Sequence, residues 1–408
     1  MAITFKNIPD GWEIKKMPDV VNWGSGGTPK ATVKEYYENG TIPWLIIGDL
    51  NNGIVTKSES KITELGLKNS SAKMIPAGTL LVAMYGSIGK LGITGMECCT
   101  NQAIAYAKEL YGVTTKYMFY FMAMMKSELI SKGKGGTQKN ISQTVLNSLE
   151  VIVPPIEEQE RIVFRIEEML SQLDDGVETL NKTKKQLKVY RQAVLKKAFT
   201  RDDMWTVGKL GDIISVLTDY HSNGSYKVLK DNVTLLDEPS YAIMVRSTNF
   251  EKNDFEKDLK YIDEHSYNFL KKSQLFGEEV LMGKIGNAGR VYYMKNLGRP
   301  MSLAMNMFAM RFQENIYSKF VYYYLISSEA VADISQYVKG VGTPTIDKKS
   351  VRSIKFAYPN IDAQKEIVEK IESRLSVCDS IEQTIDLALQ QSEAMRQSIL
   401  KKAFEGGL

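Results

Sequence analysis

Pro154-Pro155-Ile156-Glu157-Glu158-Gln159-Glu160-Arg161-Ile162-Val163-Phe164-Arg165-Ile166-Glu167, continuing to Phe199, decides the fold, because the stretch occurs twice. Pro154, Ile156, Gln159, Ile162, Val163, Ile166, Glu167, Leu170, Ser171 and Asp174 return in register as Pro359, Ile361, Gln364, Ile367, Val368, Ile371, Glu372, Leu375, Ser376 and Asp379. The far end returns as well: Arg191-Gln192 and Leu195–Phe199 reappear as Arg396-Gln397 and Leu400–Phe404. A gap-free internal repeat of this length fixes the architecture before any local reading does.

Each copy reads as one long helix. Ile166, Leu170, Leu173, Val177, Leu180, Leu187 and Val194 follow steps of three and four, the apolar seam of a coiled coil, with polar Lys184 and Arg191 in the series. The second copy gives Ile371, Leu375, Cys378, Ile385, Leu389, Ile399 and Ala403, loosened by Glu382 and Ser392. Prolines open both copies and Gly406-Gly407 ends the second. A long helix with one apolar stripe needs a partner stripe, and the other copy supplies it. The expected fold class is therefore α+β, with an internal pseudo-two-fold repeat: two globular α/β domains separated by two long antiparallel coiled-coil helices. The expected divisions are 1–153, the helix 154–200, 201–358 and the helix 359–408.

Outward from the helices the repeat weakens. Trp12, Lys16 and Asp19 recur as Trp205, Lys209 and Asp212, and Gly136-Thr137 as Gly342-Thr343. Lys116–Phe121 resembles Lys319–Tyr324, which predicts a helix near 115–131 and another near 318–335. Short branched runs at 42–47, 79–84, 241–245 and 279–282 predict strands. Gly86–Lys90 follows one and Gly283–Asn287 another, as turns of one kind.

Composition sets bounds. The chain of 408 residues has room for two or three domains, and its net charge of +4 permits nucleic acid without demanding it. Cys98, Cys99 and Cys378 have no ligand spacing, so neither zinc nor a disulfide framework is expected, and a reducing cytoplasmic location fits. No apolar run reaches the ~20 residues of a membrane helix. The glycine-rich stretches at 24–30 and 86–90 lack the phosphate-loop pattern, and no nucleophile, metal or base-methylating motif is present. What remains are polar and basic residues in loops: Thr28, Lys30, Lys34, Tyr36, Gln138, Lys139 and Asn140 in the first half, and His221, Asn223, Lys284, Asn287, Arg290, Lys348 and Lys349 in the second. Such side chains hold phosphates and read base edges.

With Ile42-Pro43-Trp44-Leu45-Ile46-Ile47-Gly48-Asp49-Leu50, Asn101-Gln102, Gly136–Ser142 and Pro154–Ile162 in this order, the chain resembles the specificity (HsdS-type) subunits of type I restriction–modification systems along essentially its whole length. The resemblance implies two target-recognition domains, each reading half of a bipartite double-stranded DNA sequence, and helices that set the spacing between the halves. It implies a chain with no catalytic residues and no cofactor of its own. Two methyltransferase (modification) subunits would bring S-adenosylmethionine, and motor-nuclease (restriction) subunits would bring ATP. The alternatives are a coiled-coil scaffold that binds protein and a specificity module of a methylation-only system.

Overall fold

A computed structural model describes residues 8–135, 138–201 and 203–407. The long helices span Ile156–Ala198 and Ile361–Phe404, roughly 65 Å each at 1.5 Å per residue. Asn360 caps the second by accepting the Ala363 amide at 2.9 Å. Glu157, Glu158 and Asp362 sit in the first turns and Lys196, Lys197, Lys401 and Lys402 in the last, the charge order the helix dipole favours.

The chain divides into two compact units, and each long helix contributes to both: Met1–Asn181 with Asp386–Leu408 form one, Lys182–Ile385 the other. Within each unit the start of one helix packs against the end of the other along the expected apolar stripe. In the first, Ile162, Val163, Ile166 and Leu170 share a core with Ile399, Leu400, Ala403 and Phe404. In the second, Val368 and Ile371 join Leu195 and Phe199. The terminal phenylalanines are anchors: Phe404 lies edge-on to Tyr117 and Phe121, with ring centroids 5.1 and 5.4 Å away. Phe199 meets Phe320 and Tyr324 at 5.3 Å each.

The polar positions in the stripe have a structural cause. Arg191 pairs with Asp379 at 2.6 Å and Glu382 at 3.0 Å, and Lys184 lies 3.9 Å from Glu382. Residue numbers thus rise along one helix as they fall along the other, which makes the pair antiparallel. In the first unit Arg396 pairs with Asp174, the same two repeat positions in exchanged roles.

Strands Val21–Ser25, Ile104–Leu110, Leu80–Ala83, Leu91–Thr94 and Ile54–Val55 lie side by side in that order in the first unit. Ile214–Asp219, Met307–Phe312, Val280–Gly283 and Val291–Tyr293 repeat the first four in the second. Each central strand is buried on both faces: Leu80 and Val82 pack with Tyr117 and Phe121, Leu81 with Leu45 and Cys98. A small sheet beside each core holds one parallel pairing, Trp44 with Cys99 and Ile243 with Met301. The repeat thus extends through the middles of the globular domains, beyond the ends and turns matched from the sequence.

Two local expectations change. The helices expected near 115–131 and 318–335 each break in two, as Thr115–Met124 with Lys126–Lys132 and as Ser318–Leu325 with Ser328–Ser335. The second break is a cap: the Ser327 hydroxyl accepts the Ala330 amide at 3.4 Å. Of the expected match between Gly136-Thr137 and Gly342-Thr343, the first pair lies outside the described residues, but nearby Gly135 and Gly340 both hold left-handed φ values, 125° and 94°.

A buried glutamine ties each long helix to its sheet. Gln159 accepts the Thr114 amide at 2.9 Å and donates to the carbonyls of Gly112 and Pro154 at 2.8 and 2.9 Å. Gln364 does the same with Tyr317, Asn315 and Pro359 at 2.8, 3.1 and 2.9 Å. Both are fully buried. They grip the chain just after Ile104–Leu110 and Met307–Phe312, so the opposite end of each sheet is the one free to carry loops.

Candidate nucleic-acid interface

That opposite end collects the residues expected from the sequence. In the first unit Ser25 lies across from Ala105 and Ala83 across from Ile104, so one strand ends where the next begins. The loops that follow converge through backbone hydrogen bonds: Gly27 to Thr100 (2.8 Å), Met84 to Ala103 (2.8 Å), Ile141 to Met84 (2.9 Å) and Gly86 to Lys139 (3.2 Å). The tight approach explains the double glycine, since a Cβ on Gly26 would sit 2.2 Å from the Thr100 carbonyl oxygen and one on Gly27 2.2 Å from the Ala72 nitrogen.

On this frame the Thr28 hydroxyl donates to Gln102, and Lys30 and Lys34 stand exposed. The Tyr36 carbonyl accepts the Thr63 amide at 2.9 Å, which pins the loop that carries both lysines. Beneath them, Trp44 Nε1 donates to Gly27 at 3.0 Å and its ring meets Tyr37 edge-on. Gln138 and Lys139 are exposed on a groove shared with Gly86, Ser87, Lys90 and Lys126. Asn140 pairs with Lys134 through both backbone hydrogen bonds, 2.8 and 2.9 Å.

The second unit repeats three of these four bonds. Lys284 donates its amide to Asn306 (2.7 Å), Ile346 to Lys284 (3.0 Å) and Gly286 to Pro344 (2.9 Å). These bonds correct the turn matching: Gly86–Lys90 corresponds to Gly286–Arg290, with left-handed φ of 65° at Gly86 and 80° at Gly286, and not to Gly283–Asn287. Lys284 therefore stands where the first unit has buried Met84.

His221, Arg290 and Lys349 are exposed, and Arg290 lies 5.8 Å above the Tyr292 ring. Asn287 donates to Glu251. The Asn223 amide is spent inside the protein, on Tyr220, Ser273 and Lys272. The Lys284 and Lys348 amines both turn to Asp219, at 2.6 and 3.0 Å. Burial alone would raise the pKa of this carboxyl, but hydrogen bonds from Lys284, Ser222 and Lys348 hold it down to about 2.

Residues outside the expected set share this end. Tyr85 and Ile285, 40% and 39% exposed, bridge to Asn140 and Thr345, while Lys134 and Lys339 close the same loops. The recurrence of Lys134-Gly135 as Lys339-Gly340 was a readable signal for them. Each unit therefore presents several loops of amide, hydroxyl and cationic side chains on one rigid sheet end, suited to gripping phosphates and reading base edges. Among the described residues no cluster of metal-binding side chains forms, and no helix is long and apolar enough to cross a membrane.

The family model for the type I restriction modification DNA specificity domain matches residues 9–189 and again 202–391. The chain is similar to the type I restriction enzyme MjaIX specificity subunit of Methanocaldococcus jannaschii, 27% identical over 293 residues, 66% of each chain. It is 22% identical over 425 residues to the StySPI specificity subunit of Salmonella potsdam, covering 98% of this chain and 90% of that one. In fold it resembles a solved chain described under complex assembly and conformational transition of the type I R-M system, with a TM-score of 0.76 at 15% identity over 99% of this chain and all of the other.

Proposed function

The chain belongs to the type I restriction–modification DNA specificity family, and from that premise we propose that each unit reads one half of a bipartite DNA target through the loop end of its sheet. One observation carries this reading: the two units share a frame down to single hydrogen bonds, yet the side chains mounted on it differ. Lys139 is matched by Pro344, Ser87 by Asn287 and Lys90 by Arg290 in the shared register. A common frame with exchanged side chains is what two different half-sites require. Lys30, Lys34, Gln138, Lys139, His221, Arg290 and Lys349 are the exposed groups assigned to DNA; Lys284 and Lys348 serve mainly within the protein. The test replaces residues 12–153 with the corresponding stretch of a relative and maps methylation in cells. One half-site is expected to change and the other to persist; a change in both, or in neither, would refute independent reading.

On the same reading the chain is non-catalytic, and S-adenosylmethionine and ATP bind the modification and restriction subunits. A surface that recurs in both units is the one we assign to the modification subunits. In the first unit Lys116, Tyr120, Glu167, Ser171, Asp174, Arg396 and Gln397 line one concave surface. Lys116 and Tyr120 meet Glu167 at 2.8 and 3.4 Å. All seven residues recur, as Lys319, Tyr323, Glu372, Ser376, Asp379, Arg191 and Gln192, with the Lys319 and Tyr323 contacts to Glu372 at 2.9 and 3.4 Å. Neighbouring exposed positions drift apart: Gln172 against Val377, Asp175 against Ser380, Gly176 against Ile381. Packing needs neither Ser171 nor Ser376, both exposed, so their recurrence fits one partner bound twice. Ser171→Arg is expected to remove one of two co-purifying methyltransferase copies, and Ser171→Arg with Ser376→Arg both, by about a hundredfold in affinity, as steric loss of a central contact does. Native mass spectrometry counts them; two copies on the double variant would sink the assignment.

A further inference from the structure

The second unit holds an element that the first lacks. Asp219 is the last residue of strand Ile214–Asp219 and is 4% exposed. Its carboxylate accepts Ser222 Oγ at 2.6 Å from its own loop, Lys284 Nζ at 2.6 Å from the turn after the central strand, and Lys348 Nζ at 3.0 Å from the loop-closing helix Lys348–Ser353. Lys348 Nζ also donates to Ser222 Oγ at 2.9 Å, and Lys284 lies 5.5 Å over the Phe308 ring. One buried anion thus joins the three segments that carry His221, Asn287, Arg290 and Lys349. The first unit has Ser25, Met84 and Gln143 at the corresponding places, identified by Ser25 facing Ala105 as Asp219 faces Phe308 and by the shared bonds of Met84 and Lys284. None of those three side chains carries a charge.

We propose that Asp219 is a positioning residue for DNA recognition by the second unit, a carboxylate staple that fixes three reading loops in one arrangement and takes Lys284 and Lys348 out of phosphate binding. The inference rests on the reading of each unit as a half-site reader. A charge-assisted bond from each lysine is short and directional, and removing the shared carboxylate leaves two cations without their anion, with only Ser222 still accepting from Lys348, which lets the three loops move. Selectivity should fall before affinity does, because phosphate contacts hold a loose loop on DNA while base contacts need it placed.

The experiment uses the full chain with its methyltransferase subunits and three duplexes: the methylome-defined target, and that target with one base pair changed in either half-site. Asp219→Asn is expected to lower discrimination at the half-site of the second unit about tenfold, the value of one good base contact, and to leave the other half-site unchanged. The triple exchange D219S/K284M/K348Q copies the uncharged set of the first unit, leaves no cation stranded, and should lose the same discrimination while melting at the wild-type temperature. If the lysines instead hold phosphates, Asp219→Asn will tighten binding to all three duplexes, and K284M/K348Q will reduce the slope of log affinity on log salt by about two; that result overturns the staple. Discrimination by the D219N variant equal to wild type overturns it as well. A wild-type complex that fails to discriminate at either half-site would instead refute the half-site reading itself.

Discussion

Ending the chain after Ser398 is expected to unfold the first unit and spare the second. The cut removes Ile399, Leu400, Ala403 and Phe404, which are 6%, 2%, 1% and 0% exposed and belong to the core of the first unit. Truncating a buried Leu or Ile to Ala costs ~2–5 kcal/mol and a Phe ~3–5. Together these losses match the whole ~5–15 kcal/mol of a folded domain. Tyr117 and Phe121 lose the ring that packs against their edges. The second unit, Lys182–Ile385, loses none of its residues. Hydrogen exchange reads the outcome by strand: amides of Leu80–Ala83 should exchange freely and those of Val280–Gly283 stay protected. Equal protection in both strands would mean that the helix end is dispensable.

The second large effect is expected at the buried glutamines. Gln159→Leu keeps the volume but strands the Thr114 amide and the Gly112 and Pro154 carbonyls, all three satisfied by one side chain. The Pro154 carbonyl is buried and Thr114 half-buried, whereas exposed Gly112 can turn to water; a buried backbone group without a partner costs ~1–3 kcal/mol, so the first unit should lose about 2–4 kcal/mol. Gln364→Leu should cost the second unit the same, because its bonds are the same. Denaturant unfolding followed by Trp fluorescence and unit-resolved exchange would measure both. A loss below ~1 kcal/mol in either unit would show that water or backbone movement replaces the amide.

The long helices, their stripe and the two-fold logic were legible because period and repeat are properties of sequence alone. Which polar stripe residues meet was not. Asp174, Arg191, Asp379 and Arg396 all repeat, but only the antiparallel register brings Arg191 to Asp379. The common sheet was hidden because its strands run only two to seven residues, too short to carry a pattern, and the small sheets beside it join Trp44 to Cys99 and Ile243 to Met301 across long separations. The turn was misaligned because Gly283, Gly286 and Gly289 are evenly spaced, so two registers fit the glycines and only the backbone bonds choose. Lys284 and Lys348 read as phosphate ligands because their anion, Asp219, is remote in the chain. The surface position of most candidate DNA contacts followed from composition, but Lys348 and Lys349, read as loop residues, open a short helix, and the partners of all the candidates depend on tertiary structure.

The division of the chain also orders events in time. The second unit is one continuous run, Lys182–Ile385, whereas the first is closed by Asp386–Leu408. A ribosome adding ~5–20 residues per second needs roughly 10–40 s to pass from the end of the first segment to the start of the last. At the end of that interval the later-made unit has every residue of its core, while the pocket around Tyr117 and Phe121 still has no Phe404 to fill it. The half synthesised first is therefore the half that finishes folding last, and a nascent chain stalled in its final helix carries one finished reader and one open apolar surface for chaperones to hold.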